Sequence, residues 1–313
     1  MSETTKSQQL GVDLITYYHP EFWSVESFDQ LQEQVAEDPR PFWDRVFAEV
    51  EAAGIGGIEM TFGPGSWQNA LRAYGSADQV AKVAGEHGLR IVSAFFSDFE
   101  RLGHVPSPEE ERVITEHALE TARFLRECGG DVLVLGLAMR SSYREDPRPF
   151  GLEEAGPLAD ALNRVGQATR KEGVRIALHS EHSSLFCSAR DIDLLLLLTD
   201  PEYVGFCPDS AHLVLAGGDP VAIVRHHLDR VLITHWKDAT GPYSPDLPID
   251  EKIHDRHDPF FCRVGAGVVD WQAWAALFKG KGFMGCHILE IDSVRDPAHE
   301  ISEARRVAAE QLG

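Results

Sequence analysis

The chain has 313 residues, and its 29 lysines and arginines are outnumbered by 50 aspartates and glutamates, which gives a formal net charge of −21. Because clustered basic residues supply most of the affinity for a phosphate backbone, this balance argues against a nucleic-acid partner. A content of 43% hydrophobic residues excludes disorder for most of the chain. The longest apolar run, Leu194 to Leu198, is far shorter than the roughly 18 residues that cross a bilayer. We therefore expect a cytoplasmic protein without a membrane partner.

Eight short and nearly continuous apolar runs are typical of the buried strands of a parallel sheet. In chain order they span residues 11–16, 56–62, 89–95, 131–137, 174–180, 204–209, 230–236 and 284–291. Segments with helical periodicity alternate with them, at 41–53, 78–86, 109–128, 152–172, 189–199, 220–228, 271–279 and 298–312. Eight such alternations predict an α/β fold, a (β/α)8 TIM barrel, as one domain over residues 9–313 that follows a disordered tail over residues 1–8.

Two connections are longer than ordinary strand-to-helix loops. They follow the first and seventh strands, over residues 17–40 and 239–267, and insertions of this length are often lids or binding loops. The main alternative to a barrel is a doubly wound open sheet. That fold needs a glycine-rich phosphate loop after its first strand, and the sequence LITYYHPEFW has none.

Metal-capable side chains follow four consecutive predicted strands, the fifth to the eighth. They are Glu181, Asp209, His235 and Glu290, and the active site of a TIM barrel is built at the carboxyl ends of its strands. A divalent cation offsets the repulsion among three carboxylates in one pocket. Mixed oxygen and nitrogen ligation suits Mn²⁺, which we favour, with Co²⁺, Mg²⁺ and Zn²⁺ as alternatives. The sequence therefore predicts a site for one divalent ion.

Five segments carry a resemblance to a known family. They are GIGGIEM at 54–60, CPDSAHLVLAGGDP at 207–220, DRVLITHWKDA at 229–239, VGAGVVDW at 264–271 and FMGCHILEID at 283–292. Together they resemble the xylose isomerase-like TIM-barrel superfamily, the sugar phosphate isomerase/epimerase family, over essentially the whole barrel. The segments HSEHSS and LLTDPEYVGFCPDSAH are most similar to its inosose dehydratase-like branch.

This resemblance implies a metal-dependent enzyme, and it also exposes a departure. Most members carry a glutamate ligand where this chain has His179, whereas Glu181 comes two residues later. Alternate residues of a strand share one side, so either residue can reach the ion. We favour Glu181 as the ligand and His179 as a substrate or catalytic contact.

Such a site supports removal of an α-proton from a ketone, with the resulting enediolate stabilised by the ion. Glu181 and Glu290 are the candidate bases, and Lys237, His179 and His212 are the candidate acids. Return of the proton gives isomerisation or epimerisation, whereas loss of a β-hydroxyl gives dehydration. The expected substrate is a small keto-sugar or cyclitol such as an inosose.

Other side chains are candidates for substrate binding, although a purely structural role remains open for each. Aromatic and imidazole rings after the first strand can stack on a sugar, and polar groups at strand ends or in the second insertion can bind its hydroxyls. The candidates are Glu59, His212, Arg263, Tyr17, His19 and Trp23. His254, Asp255, His257 and Asp258 are either additional ligands or a solvated loop.

Three other functions remain open at this point. The same chemistry can cleave a 3-keto-glycoside. A phosphodiesterase similar to the family 2 apurinic endonucleases is disfavoured, because SAFFSD and LGLAMR after the third and fourth strands lack histidines for further zinc ions. A non-catalytic sugar-binding protein is disfavoured by the complete ligand set. Assembly into a homodimer or homotetramer also remains open.

Overall fold

The computed structural model describes residues 10–102, 104–140, 150–244, 247–249 and 252–313. The predicted disordered tail over residues 1–8 lies outside these ranges. Among the described residues, no helix has both the length and the apolar character needed to span a bilayer.

Eight parallel strands form the barrel. They are β1 (Leu10–Asp13), β2 (Gly57–Met60), β3 (Arg90–Phe96), β4 (Val132–Leu135), β5 (Arg175–His179), β6 (Val204–Cys207), β7 (Thr234–Trp236) and β8 (His287–Leu289). Pairing follows the order β6, β5, β4, β3, β2, β1, β8, β7. Isolated parallel bridges, Phe206 with Val231 and Asp209 with His235, join β6 to β7 and close the ring. The predicted (β/α)8 TIM barrel is thus confirmed.

Strand β7 begins four residues later than the sequence predicts. Residues Leu228–Arg230 form a turn of 3₁₀ helix instead. The Arg230 guanidinium donates hydrogen bonds to the carbonyls of Leu196 and Val204, so this apparent strand residue serves as a tie between neighbouring elements.

The helices surround the barrel, and all eight predicted helices are present with ends shifted by at most two residues. These eight are Arg40–Ala52, Ala77–Glu86, Pro108–Cys128, Leu152–Lys171, Ala189–Leu198, Pro220–His227, Trp271–Lys281 and Pro297–Leu312. Shorter helices that the periodicity did not reveal are Pro20–Trp23, Phe28–Glu37, Trp67–Tyr74, Asp98–Leu102, Ser210–Leu215 and Ile253–His257.

The second insertion is anchored by a short antiparallel ribbon. Asp238–Ala239 pairs with Phe261–Cys262, and the helix Ile253–His257 lies between these two strands in the chain. We call this helix the lid helix, because both of its histidines, His254 and His257, line the cavity described below.

A single buried carboxylate organises the return of this insertion to the barrel. Asp238 accepts hydrogen bonds from the backbone N–H groups of Gly265, Gly267 and Val269 at 3.0–3.1 Å. It also accepts one from the Trp271 indole N–H at 2.7 Å. The segments HWKDA and VGAGVVDW therefore form one structural unit, in which the second supplies donors to the aspartate of the first.

Candidate metal centre and cavity

Four buried side chains converge at the carboxyl ends of the strands. They are His179 at the end of β5, Asp209 beyond β6, His235 in β7 and Glu290 beyond β8, and each offers an atom within 4.8 Å of the others. Strand closure brings them together, because Asp209 and His235 form one of the bridges between β6 and β7. The predicted meeting of Asp209, His235 and Glu290 is therefore present in the structure.

The fourth member is His179, whereas the sequence favoured Glu181. Strand β5 ends at His179, and the chain then turns, with the Glu181 N–H bonded to the Phe186 carbonyl at 3.2 Å. Period-two alternation applies only within the strand, so Glu181 does not share the orientation of His179. Its nearer oxygen lies 3.9 Å from His179 Nδ1, beside the group rather than within it.

Asp209 divides its two oxygens between structure and site. Oδ1 accepts a hydrogen bond from the His212 N–H at 3.0 Å, which caps the helix Ser210–Leu215. Oδ2 lies 3.7 Å from His179 Nε2 and has no hydrogen-bond partner within the described part of the chain. A buried oxygen without a partner is costly, which is consistent with a ligand position.

His235 lies between two carboxylates. Its Nδ1 is 2.5 Å from Glu290 Oε2, and its Nε2 is 2.8 Å from Glu59 Oε1, although neither contact has the alignment of a hydrogen bond. Burial opposes protonation here, but Cys207 and the carboxylates of Glu59 and Glu290 outweigh it and raise the pKa of His235 well above its usual value. This surplus of acidic groups favours a cation at the centre.

Glu59 is fully buried behind His235, which corrects its expected role in substrate binding. Its Oε2 accepts a hydrogen bond from the Ser93 hydroxyl at 2.6 Å, and the residue has no exposed surface. A carboxylate on the far nitrogen of a ligating histidine is a common way to orient the ring. Glu59 is therefore placed to position His235 and not to touch a substrate.

Lys237 is a fixed positive charge. Its Nζ lies 2.8 Å from Glu290 Oε1 and 2.6 Å from Asp292 Oδ2, and 3.9 Å from the centre of the Phe261 ring. Burial is outweighed by these carboxylates, which raise the pKa of Lys237 above its usual value. Lys237, a candidate acid from the sequence, therefore holds its proton more tightly than a free lysine, and it is paired with Glu290 and Asp292.

The two carboxyl groups in contact with Lys237, those of Glu290 and Asp292, differ in their pKa. Although burial raises it, the pKa of Glu290 lies well below its usual value because Lys237 and His235 lower it more strongly. Burial raises the pKa of Asp292 to about 7 despite the contact with Lys237. Glu290 is thus an ionised carboxylate suited to bind a cation, and Asp292 titrates near neutrality.

A cavity of about 450 Å³ opens above this group, a size suited to a monosaccharide or cyclitol. Part of its wall is apolar and comes from Ile15, Tyr18, Phe28, Phe62, Phe95 and Phe261. Another part of the wall is polar and comes from Asp13, His179, Glu181, His212, Lys237, Glu290 and Asp292. The pairing of flat rings with polar groups is typical of carbohydrate sites.

His212 faces the cavity as a neutral donor. Its Nδ1 accepts a hydrogen bond from the His182 N–H at 3.0 Å, which leaves the proton on Nε2. Burial and the nearby Lys237 hold the pKa of His212 well below its usual value. His212 is thus placed to donate a hydrogen bond to a substrate hydroxyl, as its position in the sequence suggested.

Glu181 belongs to a second group, at the mouth of the cavity. Glu100, Glu181 and the lid-helix residue His254 each offer an atom within 4.8 Å of the others. Burial, together with Glu100, raises the pKa of Glu181 well above its usual value, and burial raises the pKa of Glu100 to about 7.

Several predicted substrate contacts lie elsewhere. Tyr17 is buried in the core, His19 caps the helix Pro20–Trp23, and the Trp23 indole donates to the Tyr17 carbonyl at 2.6 Å. Arg263 lies 3.4 Å from Glu300. None of the four lines the cavity within the described residues, and the neighbouring Tyr18 and Phe28 form that part of the wall.

Sequence reasoning missed Asp13 and Glu100 as site residues, and it placed Asp292 at the end of the eighth strand without giving it a role. Asp13 lies inside the first apolar run, GVDLIT. A single acidic residue in an otherwise apolar run was the feature that could have indicated a site residue here. Its Oδ1 accepts a hydrogen bond from the Ile15 N–H at 2.7 Å, and burial raises its pKa well above the usual value. Glu100 follows β3 and lies two residues beyond the segment SAFFSD, in which the sequence offered no histidine for further zinc ions.

The donor set fits a divalent ion. Both nitrogens of His179, both of His235 and Asp209 Oδ2 are buried without a hydrogen-bond partner among the described residues. Two imidazoles and two carboxylates with no thiolate suit Mn²⁺, Co²⁺, Zn²⁺ or Mg²⁺. These residues therefore fit the cation that the sequence predicted.

Residues 47–311 match the family model described as a xylose isomerase-like TIM barrel. The chain belongs to this family. Among members of the xylose isomerase-like family, the inosose dehydratase of Lacticaseibacillus casei is 31% identical over 227 residues, which cover 67% of this chain and 71% of that protein.

Solved structures of other proteins have the same fold. One is the IOLI protein with a zinc atom, at a TM-score of 0.68 and 15% identity, covering 97% of this chain and 96% of that one. Another is L-ribulose 3-epimerase, at a TM-score of 0.69 and 15% identity, covering 97% of this chain and 94% of that one. At such identities the likeness shows the fold alone.

Proposed function

We propose that this protein is a divalent-metal-dependent dehydratase of a keto-cyclitol or keto-sugar, with an inosose as the first substrate to test. The observation that carries the proposal is the buried group His179, Asp209, His235 and Glu290 at the base of a sugar-sized cavity. The similarity to inosose dehydratases supports the substrate class and the choice of dehydration over isomerisation or epimerisation.

The cation would be held by His179 Nε2, Asp209 Oδ2, His235 Nδ1 and Glu290. When bound, it supplies Lewis-acid stabilisation of the negative charge that develops on the carbonyl oxygen as the α-proton leaves. Mn²⁺ is our first choice of ion, because half of the ligand atoms are oxygens.

Glu181 is our candidate for the base. Its carboxylate faces the cavity beside the four-residue group, and no described residue donates a hydrogen bond to it. A carboxyl group with a raised pKa is a stronger base once it has lost its proton. It would remove the proton from the carbon next to the ketone.

The same elimination requires a proton for the departing hydroxyl. We assign Asp292 as the donor of this proton, because its pKa of about 7 allows the carboxyl group to be protonated at neutral pH. Lys237 holds this carboxyl 2.6 Å away, and His212 Nε2–H would orient another hydroxyl of the ring. Apolar rings from Tyr18 and Phe95 would cover the other side of the substrate and exclude water.

The test uses metal-free protein reloaded with Mn²⁺ and an inosose in deuterated water. We expect metal-dependent loss of water from the substrate, detected by mass spectrometry. Glu181→Gln should lower kcat by about 10²–10⁴-fold, the usual contribution of a general base, while the group His179, Asp209, His235 and Glu290 still binds its Mn²⁺ ion. Glu110→Gln, which changes an exposed glutamate, should retain wild-type kcat.

Other outcomes separate the alternatives. A product that has lost no water and differs from the substrate in composition only by a deuterium next to the carbonyl would indicate an epimerase or isomerase. Release of an alcohol from a 3-keto-glycoside would indicate a glycoside-cleaving lyase. The absence of Mn²⁺-dependent turnover of every keto-sugar and inosose tried would contradict the proposed function.

A further inference from the structure

The three residues at the cavity mouth have the geometry of a second cation site. Each offers one ligand atom within 4.8 Å of the others. His254 Nδ1 lies 3.6 Å from Glu181 Oε1 and Nε2 lies 3.7 Å from Glu100 Oε1, and a shared ion would take one of these two nitrogens. The three residues come from the segment after β5, the helix Asp98–Leu102 after β3 and the lid helix. A ligand shared by them would join the lid to the barrel.

The carboxylates of this group lack compensation. Glu181 is only 6% exposed, and among the residues that the structure describes none donates a hydrogen bond to Glu181 or Glu100. Their ionised forms repel each other in a partly desolvated site. A bound cation would remove this cost.

The barrel leaves space for Glu100 to turn inward. A Cβ on Gly136, just beyond β4, would lie 2.8 Å from Glu100 Oε2 and 2.8 Å from Phe95 Cζ. Such approaches are closer than real Cβ atoms make, so a side chain here would require the Glu100 carboxylate and the Phe95 ring to move. Gly136 thus leaves the space that the Glu100 carboxylate occupies.

We propose that Glu100, Glu181 and His254 form a second divalent-cation site, which fastens the lid helix to the barrel and inhibits the enzyme when it fills. Three protein ligands of mixed nitrogen and oxygen type, with solvent access, suit Mn²⁺ or Zn²⁺. The inhibitory role rests on the proposed function, in which Glu181 is the base and an ion bound to it would block that role. The existence of the site does not rest on it.

The two ions should differ in affinity. The first group is buried, whereas the His254 side chain is 57% exposed and belongs to a helix of five residues. Ordering of that helix opposes binding, so the lid site should fill after the barrel site.

Stoichiometry tests the site directly. Metal-free protein is dialysed against increasing MnCl₂, and bound manganese is measured by elemental analysis. We expect two ions per chain in the wild type and one in His254→Gln and in Glu100→Gln. His117→Gln is the matched control, because His117 is an exposed histidine 2.7 Å from Asp98. It should keep two.

Two further readouts test the consequences. Hydrogen exchange of the lid helix should slow on addition of the second equivalent in the wild type but not in His254→Gln. Turnover should rise with the first equivalent and fall with the second, and the fall should disappear in His254→Gln. Two bound ions without this inhibition would overturn the inhibitory role.

The failures of the two proposals are distinguishable. A single ion lost in Asp209→Asn and kept in His254→Gln would overturn the lid site and leave the proposed function intact. A single ion lost in His254→Gln and kept in Asp209→Asn would support the lid site and contradict the metal centre of the proposed function. Two ions retained in His254→Gln and Glu100→Gln would also overturn the lid site.

Discussion

At the scale of single residues, the centre depends on how His235 is held. Glu59 reaches Nε2 from the buried side and is itself held by Ser93. This arrangement directs Nδ1 towards the ligand position, and removal of such a carboxylate commonly lowers metal affinity by about 10–100-fold.

We therefore expect Glu59→Gln to raise the Kd of the first Mn²⁺ ion by about 10–100-fold, measured by equilibrium dialysis. The neutral amide keeps the volume but loses the charge that orients the ring. Glu51→Gln is the control, because Glu51 lies 2.6 Å from His87 on the surface and should leave the Kd unchanged. An unchanged Kd in Glu59→Gln would show that Glu59 does not position His235.

The residues show where sequence reasoning was sufficient. Asp209, His235 and Glu290 could be predicted because barrel strands must bring their carboxyl ends together. The choice between His179 and Glu181 could not, because it depends on where β5 stops. Strand β5 ends at His179, so the alternation that linked the two residues ends between them.

At the scale of elements, the insertions carry most of what the sequence did not reveal. Strand β1 stops at Asp13, and a 3₁₀ turn, Leu14–Tyr17, replaces the end of the predicted first strand and leads into the first insertion. After this turn Tyr17 packs inside, whereas Tyr18 faces the cavity. Tyr18 donates to the Phe62 carbonyl and accepts from the Gly65 N–H at 2.7 Å. Adjacent tyrosines look equivalent in a sequence, and only the turn geometry separates them.

The second insertion returns to the barrel through the segment that is hydrogen-bonded to Asp238. In this segment Gly267 leaves room for the Asp238 carboxylate. A Cβ on Gly267 would overlap Asp238 Oδ1 and the Ala239 carbonyl oxygen. We expect Gly267→Ala to lower the free energy of unfolding by about 1–3 kcal/mol, the usual cost of overpacking. Urea denaturation followed by tryptophan fluorescence measures this, since Trp271 is one of the partners of Asp238.

Gly280→Ala is the matched control. Gly280 lies within the helix Trp271–Lys281, and a Cβ there meets no atom within 4 Å. Alanine favours helix over glycine by up to about 1 kcal/mol, so this variant should be as stable as the wild type or more stable. Equal destabilisation by both substitutions would argue against the role of Asp238 as the organiser of this segment.

At the scale of the whole molecule, the net charge of −21 divides into two parts. Surface acids face solvent, several in pairs with arginine such as Arg112 with Glu109 and Glu116, and contribute little to stability. A second set, which includes Asp13, Glu59, Asp209 and Glu290, is buried around the centre. Repulsion among the carboxylates of this second set is poorly screened by solvent, so these residues affect the stability of the barrel more than the surface acids do.

A cation bound there should therefore stabilise the entire fold. An ion that binds only the native state at about 100 times its Kd adds about 2.7 kcal/mol, which for a chain of this size corresponds to a rise in Tm of about 5 °C. Differential scanning fluorimetry of metal-free protein, with and without MnCl₂, measures the shift. Asp209→Asn should lose most of it because β6 and β7 then lack a ligand between them, whereas His117→Gln should keep it. A Tm that Mn²⁺ does not change in the wild type would mean that the buried carboxylates are stable without a cation, and the centre would then be a hydrogen-bonded polar core instead of a metal site.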